Sequence, residues 1–329
     1  MKRRLGRSGI EVSAVGMGCW AIGGPWEMAG ARAGWGVVDD AESTRAIHAA
    51  LELGAGFFDT AANYGAGHSE RVLGAALKGR RDQAVIATKF GYEVNEATKQ
   101  VEPYGAGEEE SDVAPHVRAN LEESLRRLDT DYVDVYLLHV WGLTLDRALA
   151  ARDVLEDLVK EGKVRTYGWS TDRTDPIEAF STGPGCSVIE QELNVFAGNV
   201  ELLALAEQLN LGSINRAPLG MGMLTGKITP ETRFGDHDIR QKVDWFAGIK
   251  DGHANQAWLD DLSSIREILT SNGRTLAQGA LAWIWGRSPN TVPIPGFRTV
   301  AQVQENARSM EFGPLTAAQM AEIDRILGR

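Results

Sequence analysis

The sequence contains very few cysteines and no long apolar run. Its 329 residues include only Cys19 and Cys186, whose wide separation fits neither a disulfide framework nor a CxxC metal site. We therefore expect a cytoplasmic location and no bound metal. No segment approaches the roughly 18 consecutive apolar residues that cross a bilayer, and the basic residues at 2–4 lack the apolar stretch of a signal peptide. Neither a membrane span nor a secretion signal is expected.

The sequence has fewer positive than negative charges. Lys and Arg number 34 against 45 Asp and Glu, which gives a net charge of -11. Without a local basic patch, this charge repels nucleic-acid phosphates and anionic bilayers, so we expect neither as a partner. The hydrophobic share of 43% and the charged share of 24% are ordinary for globular proteins and exclude disordered and fibrous classes. A small molecule is the expected partner, and the sequence leaves the oligomeric state open.

Short apolar runs alternate with helical patterns from residue 41 onward, and no polar linker separates two domains. The length allows two small domains or one barrel. Eight strand–helix units favour one α/β domain over residues 1–329, a closed (β/α)8 TIM barrel. The predicted strands are 14–18, 56–59, 84–89, 133–139, 164–170, 187–191, 212–216 and 291–295. The predicted helices are 41–53, 69–77, 114–127, 145–161, 176–181, 200–209, 275–285 and 300–308.

Three segments exceed a minimal barrel. Residues 1–13, with Ser8-Gly9 between two short extended runs, predict an N-terminal β-hairpin that plugs the barrel floor. A Gly- and Trp-rich stretch at 23–36 and an insertion from 228 to about 273 follow strand ends, where barrels build their active sites. These extra loops are expected to select the substrate. The insertion contains Trp245 and Phe246 and could close over the site as a lid.

Four chemically active side chains lie at or just after the ends of three consecutive predicted strands. Asp59 ends the second strand, Tyr64 comes five residues later, Lys89 ends the third strand and His139 ends the fourth. Taken singly, each has an ordinary structural interpretation, such as a helix cap or a packing residue. Together they should meet at the barrel mouth, where a lysine beside a phenol lowers a phenol pKa that is otherwise about 10. Tyr64 could then exchange a proton near neutral pH.

The spacing of these four residues resembles the Asp, Tyr, Lys, His set of the aldo-keto reductases. The resemblance covers essentially the whole chain and includes LGRSGIEVS at 5–13, GMG at 16–18 and IPG at 294–296, while GHSERVLG at 67–74 is similar to bacterial members. It implies reversible NAD(P)H-dependent reduction of an aldehyde or ketone to an alcohol. In that reaction Tyr64 would protonate the alkoxide, Lys89 and Asp59 would tune its acidity, and His139 would orient the carbonyl oxygen.

The resemblance also implies a cofactor site without a Rossmann domain, and no GxGxxG motif follows the first strand. Ser170 would hold the nicotinamide carboxamide, with Thr171 standing where the family usually has Asn. Counting back from Asn194 places Glu190 at the family's glutamine, whereas a shift of one residue would place Gln191 there. Because side chains alternate along a strand, one of the two faces the interior, and the gapless count favours Glu190.

Two further segments would hold the phosphates and the adenosine. The loop after the seventh strand would surround the pyrophosphate with backbone amides, and Arg298 would bind a ribose 2′-phosphate, so NADP(H) is preferred and NAD(H) is possible. Gln302, Glu305 and Asn306 share one helical face. The cofactor-binding residues implied by the resemblance are Gly18, Trp20, Ser170, Thr171, Glu190, Gln191, Arg216, Pro218, Leu219, Gly220, Gly222, Leu224, Lys227, Gly296, Arg298, Gln302, Glu305 and Asn306.

Four tryptophans, Trp20, Trp26, Trp35 and Trp141, fall on or near predicted mouth loops. Flat aromatic walls favour apolar or aromatic carbonyl compounds, and Trp20 and Trp141 are the substrate contacts that we expect. Two other functions stay open at this point. One is a barrel aldolase or isomerase that uses Lys89 as a Schiff-base nucleophile, which an ion pair with Asp59 would disfavour. The other is an NADPH-binding sensor or accessory subunit with little turnover.

Overall fold

An eight-stranded parallel sheet forms the centre of the computed structural model, which describes residues 1–104, 112–140, 142–243 and 245–329. In chain order the barrel strands are β1 Met17–Gly18, β2 Phe57–Asp59, β3 Val85–Phe90, β4 Val133–Leu138, β5 Val164–Ser170, β6 Cys186–Glu192, β7 Gly212–Arg216 and β8 Thr291–Pro293. Each strand pairs with the next along the chain. Backbone bonds from Gly16 to Pro293 (2.9 Å) and from Gly18 to Pro295 (3.0 Å) join β8 to β1. The predicted (β/α)8 barrel is confirmed.

The alternation of side chains along each strand separates the barrel interior from the helix layer. Apolar residues of β2, β3, β4, β6, β7 and β8 form one buried interior cluster, which includes Phe57, Ala87, Leu137 and Val188. Polar side chains that continue the same alternation toward the carboxyl ends must therefore lie at the mouth of the barrel. Asp59, two residues after Phe57, is one of them.

The N-terminal hairpin closes the opposite end. Lys2–Arg4 pairs antiparallel with Glu11–Ser13, and Leu5, Ile10 and Val12 complete the interior cluster. The predicted plug is confirmed. Its turn lies directly beneath β6 and β7. A Cβ atom added at Gly6 would come within 2.3 Å of the Ser187 carbonyl oxygen on β6 and 2.7 Å of the Gly212 nitrogen on β7.

Replacing Gly6 by alanine is expected to lower the free energy of unfolding by about 3 kcal/mol, because a φ of +50° and a backbone clash act together. Gly9 is the matched control: its φ is +73°, but a Cβ there meets nothing within 4 Å. Gly9→Ala should therefore cost only about 1 kcal/mol. Denaturant unfolding of both variants measures the difference, and equal losses would show that the contact beneath β6 is unimportant.

Ten α-helices surround the sheet in the described chain. They are α1 Asp40–Glu52, α2 His68–Ala76, α3 Val117–Leu128, α4 Leu145–Lys160, α5 Ile177–Phe180, α6 Val200–Gln208, α7 Gln256–Leu269, α8 Leu276–Arg287, α9 Val300–Arg308 and α10 Ala317–Ile326. The eight predicted helices are present. The prediction missed α7 and α10, although both carry start signals: Asn255 caps α7, and Thr316 with Gln319 forms a capping box on α10.

The extra loops fold together over the barrel mouth. Four short strands form one sheet: Glu27–Met28, Ala31–Arg32, Tyr92–Asn95 and Gln100–Pro103. The insertion after β7 joins this cap, since Ile239 donates its backbone N–H to Gly34 (2.8 Å). Trp26, Met223 and Phe246 share a buried apolar cluster there. Closure of the insertion as a lid stays a prediction.

Candidate active site

The four residues predicted from the strand ends meet at the barrel mouth. Lys89 Nζ lies 2.5 Å from Asp59 Oδ1, 3.0 Å from the Thr60 carbonyl oxygen and 3.4 Å from Tyr64 Oη. The rings of Tyr64 and His139 meet edge to face, with centroids 6.2 Å apart. The proposition on which the sequence interpretation depends, a phenol beside the amine of residue 89, is present in the structure.

A tight loop after β2 fixes Tyr64. Gly65 follows it with a φ of +65°, and a Cβ there would lie 1.9 Å from the Gly23 carbonyl oxygen. The loop is thereby held against the segment after β1, from which Trp20 stacks on the Tyr64 ring with centroids 5.9 Å apart. Trp20 is itself fixed by its indole N–H, which donates to the Ala33 carbonyl (3.0 Å).

Burial changes the acidity of the phenol more than the lysine does. The pKa of Tyr64 lies above its ordinary value, because desolvation raises it by more than the positive charge of Lys89 lowers it. The prediction of a Tyr64 pKa near neutrality is therefore wrong. Sequence shows a neighbouring cation but not the loss of water around the phenol. Tyr64 is protonated at neutral pH and is ready to act as an acid.

Lys89 remains a cation. Burial lowers its pKa, but the negative charges of Asp59 and Glu190 outweigh burial and hold the pKa above its ordinary value. A Schiff-base nucleophile must be a neutral amine, so this environment disfavours the aldolase hypothesis. Burial first, and then the charge of Glu190, raise the pKa of Asp59 well above its usual range, whereas Lys89 opposes both.

His139 is a neutral imidazole. Burial, followed by the charges of Lys89 and Arg216, lowers its pKa well below the ordinary value. Its backbone N–H donates to Phe90 (2.9 Å), which fixes the residue at the end of β4. Nδ1 is buried and has no hydrogen-bond partner in the described chain. Tyr92, which sequence reasoning missed, meets this ring edge to face at 5.8 Å.

Glu190 is part of the same charged cluster. Its Oε2 lies 3.3 Å from Lys89 Nζ, and its Oε1 accepts a hydrogen bond from the Ser170 hydroxyl (3.0 Å). Gln191 lies on the opposite face of β6, where its side-chain amide donates to the Ser213 hydroxyl (3.0 Å). The alternation along β6 therefore gives the position at the mouth to Glu190, and Gln191 belongs to the helix layer.

Thr171, the other predicted carboxamide contact, lies directly after β5. Its hydroxyl accepts the backbone N–H of Arg173 (3.1 Å), and its own N–H donates to the Glu190 carbonyl (2.8 Å). Gly18, also a predicted cofactor contact, lies where β1 and β8 close the barrel: a Cβ there would come within 2.7 Å of the Ile294 carbonyl oxygen.

The loop after β7 turns sharply at the mouth. Gly220, Met221 and Gly222 all have positive φ, which turns successive peptide groups into a compact curve. At the end of β7, Arg216 pairs with Asp172 and lies 3.7 Å from Glu192. The remaining predicted residues of this segment are a buried Pro218 and Leu224, a partly buried Leu219 and an exposed Lys227.

The amino end of α9 carries the predicted adenosine site. Thr299 caps the helix, and the Gln302 side chain accepts the backbone N–H of Arg298 (2.7 Å). The Arg298 guanidinium donates to the carbonyls of Trp35 (3.1 Å) and Val37. It therefore joins the segment after β1 to this helix, a role that the sequence did not reveal.

The other predicted residues here, Gly296, Glu305 and Asn306, lie close together. Asn306 is buried and donates to the Gly296 carbonyl (3.4 Å). The Glu305 backbone carbonyl accepts from the Gln278 side chain (3.1 Å), so its peptide group serves the contact between α8 and α9.

Two of the four tryptophans predicted to form an aromatic wall lie together at the mouth. Trp20 and Trp35 meet edge to face at 5.3 Å beside Tyr64, whereas Trp26 is buried within the cap. Trp141, a predicted substrate contact, lies outside the described residues.

Among the residues that the structure describes, no group of three or more His, Cys, Asp or Glu could hold a metal ion. Nor is any helix of the described chain long and apolar enough to cross a membrane.

These features define a barrel acid–base site, in which a protonated phenol beside a fixed cation can pass a proton to a carbonyl oxygen. A family model described as "Aldo/keto reductase family" matches residues 14–327. "Aldo-keto reductase YhdN" of Bacillus subtilis (strain 168) is 30% identical over 307 residues, or 90% of this chain and 85% of that protein. The chain belongs to the aldo/keto reductase family and is an oxidoreductase that interconverts carbonyl compounds and alcohols with NAD(P)H.

Solved structures agree with this assignment. The structure of the glycerol dehydrogenase AKR11B4 from Gluconobacter oxydans is 28% identical with a TM-score of 0.82, covering 100% of this chain and 95% of that one. An aldo/keto reductase from Klebsiella pneumoniae, crystallised with NADP and acetate, is 25% identical with a TM-score of 0.69, covering 99% and 94%.

Proposed function

We propose that the protein is an NADP(H)-dependent reductase of uncharged aldehydes and ketones in which Tyr64 is the proton donor. The observation that carries this proposal is the contact of Lys89 Nζ with both Tyr64 Oη (3.4 Å) and Asp59 Oδ1 (2.5 Å) at the barrel mouth. This contact places an acid, the Tyr64 hydroxyl, beside the positive charge of Lys89, which stabilises the phenolate that forms when the proton leaves. His139 completes the catalytic set.

The residues present fit a nicotinamide dinucleotide. Glu190 Oε2 and His139 Nδ1 are buried polar atoms at the mouth, and neither has a hydrogen-bond partner in the described chain. The turn from Gly220 to Gly222 can present backbone N–H groups to phosphates, and the amino end of α9 favours an anion. In this proposal Ser170 and Glu190 hold the nicotinamide end. When bound, the reduced nicotinamide supplies hydride to the carbonyl carbon.

The protein's own groups handle the proton. Tyr64 enters the reaction protonated, because burial raises its pKa. As negative charge develops on the carbonyl oxygen, Tyr64 Oη donates its proton there, and Lys89 stabilises the phenolate that remains. The neutral His139 ring can donate one hydrogen bond to the same oxygen and orient it. Asp59 holds Lys89 in position and is a positioning residue.

One feature supports uncharged substrates. Trp20 and Trp35 form an aromatic wall beside Tyr64. A neutral aromatic or aliphatic carbonyl compound fits this wall best, and Trp141 stays a predicted contact.

Turnover with a panel of neutral and carboxylated aldehydes and ketones tests the proposal. We expect oxidation of NADPH, more slowly of NADH, with neutral substrates preferred. The Tyr64→Phe protein serves as the matched negative control for background oxidation. Tight NADPH binding without turnover across the panel would overturn the proposal and support a sensor or accessory subunit instead.

Arg298 provides a separate test of cofactor choice. Arg298→Gln is expected to raise the Kd for NADPH about tenfold or more, since hydrogen bonds between charged groups contribute about 1.5–3 kcal/mol. The Kd for NADH should rise much less, and this comparison corrects for any loosening of the Trp35 and Val37 carbonyl contacts. Equal increases for both cofactors would assign Arg298 a purely structural role.

Three broader predictions accompany this function. The cytoplasm is its proposed compartment, which agrees with Cys19 and Cys186 both being free and buried. A single domain over residues 1–329 stays our prediction, as does the absence of a nucleic-acid partner.

A further inference from the structure

One cation lies between two buried carboxyl groups at the centre of the site. Lys89 Nζ is 2.5 Å from Asp59 Oδ1 and 3.3 Å from Glu190 Oε2, and none of the three side chains is more than 2% exposed. The remaining Asp59 oxygen, Oδ2, and Glu190 Oε2 are buried without a hydrogen-bond partner in the described chain. With both groups ionised, the cluster would carry a net charge of -1 out of contact with water.

Such an arrangement favours holding one proton. Two ionised carboxylates in a desolvated site repel each other, and a single lysine balances only one of them. Burial and the charge of Glu190 raise the pKa of Asp59 well above its usual range. Because both carboxyl groups lie against the same amine, the proton belongs to the pair and not to one residue.

The other ionisable groups near the pair keep their charge through the neutral range. The pKa values of Lys89 and Tyr64 are raised, so the amine stays charged and the phenol stays neutral. The pKa of His139 is lowered, so the imidazole is neutral. Burial raises the pKa of the Cys19 thiol, which stays protonated. Arg216, on β7, is a cation paired with carboxylates of its own.

The position of Glu190 links this charge to the cofactor. It is paired with Ser170 across β5 and β6, and its Oε1 accepts the Ser170 hydroxyl (3.0 Å). In the proposed function these two residues hold the nicotinamide. The oxidised nicotinamide ring carries a positive charge and the reduced ring carries none. A carboxylate at 190 therefore distinguishes the two forms, which the amide of a glutamine would not do.

We propose that Glu190 makes the site selective for the oxidised cofactor, and that binding of NADP⁺ releases the proton shared by Asp59 and Glu190. This inference rests on the proposed function. The proton passes to solvent, and the resulting charge of -1 on the Asp59, Lys89 and Glu190 cluster balances the cationic ring. NADPH leaves the proton in place. The redox preference of the enzyme thereby depends on pH through a residue that is not the proton donor.

Direct binding measurements test this inference without turnover. The Kd values of NADP⁺ and NADPH are measured by quenching of tryptophan fluorescence across the neutral pH range. For the native sequence, we expect the preference for NADP⁺ over NADPH to increase with pH, by up to about tenfold per pH unit where the pair titrates. Because both forms carry the same phosphates, phosphate titration cancels in the ratio.

Glu190→Gln removes one carboxyl group of the pair. In this variant we expect the ratio to lose its pH dependence and the preference for NADP⁺ to fall about tenfold or more at the alkaline end of the range. Glu207→Gln is the control, since it removes the same charge from an exposed position on α6. It should leave the ratio and its pH dependence unchanged.

Proton release by the native protein supplies a measurement that does not depend on any variant folding. Mixing with NADP⁺ in weakly buffered indicator solution should release more protons than mixing with NADPH. Equal release, or a ratio that is the same in native and Glu190→Gln protein at every pH, overturns the inference while both cofactors still bind. Failure of the native protein to bind either cofactor overturns the proposed function instead.

Discussion

Replacing Tyr64 by phenylalanine is expected to lower kcat by about 10²- to 10⁴-fold, the contribution of a positioned general acid. The ring that stacks on Trp20 remains, and only the hydroxyl 3.4 Å from Lys89 Nζ is lost. The Kd for NADPH should therefore change little. Steady-state kinetics and fluorescence titration of the same preparation separate the two effects.

Tyr92 offers a matched control for this experiment. It is a second tyrosine at the mouth and touches the His139 ring, but it makes no contact with Lys89 in the described structure. Tyr92→Phe should reduce kcat far less than Tyr64→Phe. Turnover that is undiminished in Tyr64→Phe, or equally diminished in both variants, would refute the assignment of Tyr64 as proton donor.

Replacing Lys89 by methionine is expected to have the largest effect on stability. It leaves Asp59 and Glu190 buried without their cation, and breaking such a pair costs about 3–5 kcal/mol of the free energy of unfolding. Activity should fall together with stability, since Tyr64 loses the charge that stabilises its phenolate. Lys78→Met, at an exposed position, should change stability by no more than about 0.5 kcal/mol.

The stability loss in Lys89→Met should depend on pH in a known direction. The folded-state pKa of Asp59 is raised, so the folded protein binds this proton more tightly than the unfolded chain does. Stability therefore falls as pH rises from the ordinary carboxyl pKa toward the raised one, and more steeply without the lysine. Denaturant unfolding should show a smaller difference from the native protein in acid than at neutral pH.

A double variant separates charge from packing. Adding Glu190→Gln to Lys89→Met removes one of the two stranded carboxyl groups, so part of the lost stability should return. If the loss is the same at acidic and neutral pH and is not relieved by the second change, it arises from the missing volume of the lysine side chain.

The sequence predicted the barrel and the meeting of the proposed catalytic residues at its mouth because both follow from the alternation of side chains along strands. Phe57 and Asp59, or Leu137 and His139, are two residues apart, so an apolar core and a polar mouth appear in the same short motifs. The same alternation decides between Glu190 and Gln191. Strand order then brings the end residues together, and no long-range information was needed.

What the sequence could not reveal was the balance of burial against charge. It placed Lys89 beside Tyr64 but gave the wrong direction for the phenol pKa, since desolvation depends on everything packed around the site. It assigned Glu190 to the cofactor without its contact to Lys89, because β6 and β3 are far apart in the chain. The cap sheet was missed because its strands are only two to four residues long and leave no clear periodic pattern.

The shared apolar cluster over the mouth restricts how substrate specificity can be redesigned. Trp26 from the segment after β1 and Met223, Phe246 and Ile249 from the segment after β7 bury one another. A chimera that exchanged one segment alone with a relative would leave the apolar face of the other without its counterpart and would aggregate. The two segments form one transferable unit, which must be exchanged together if a new preference is to come with a folded protein.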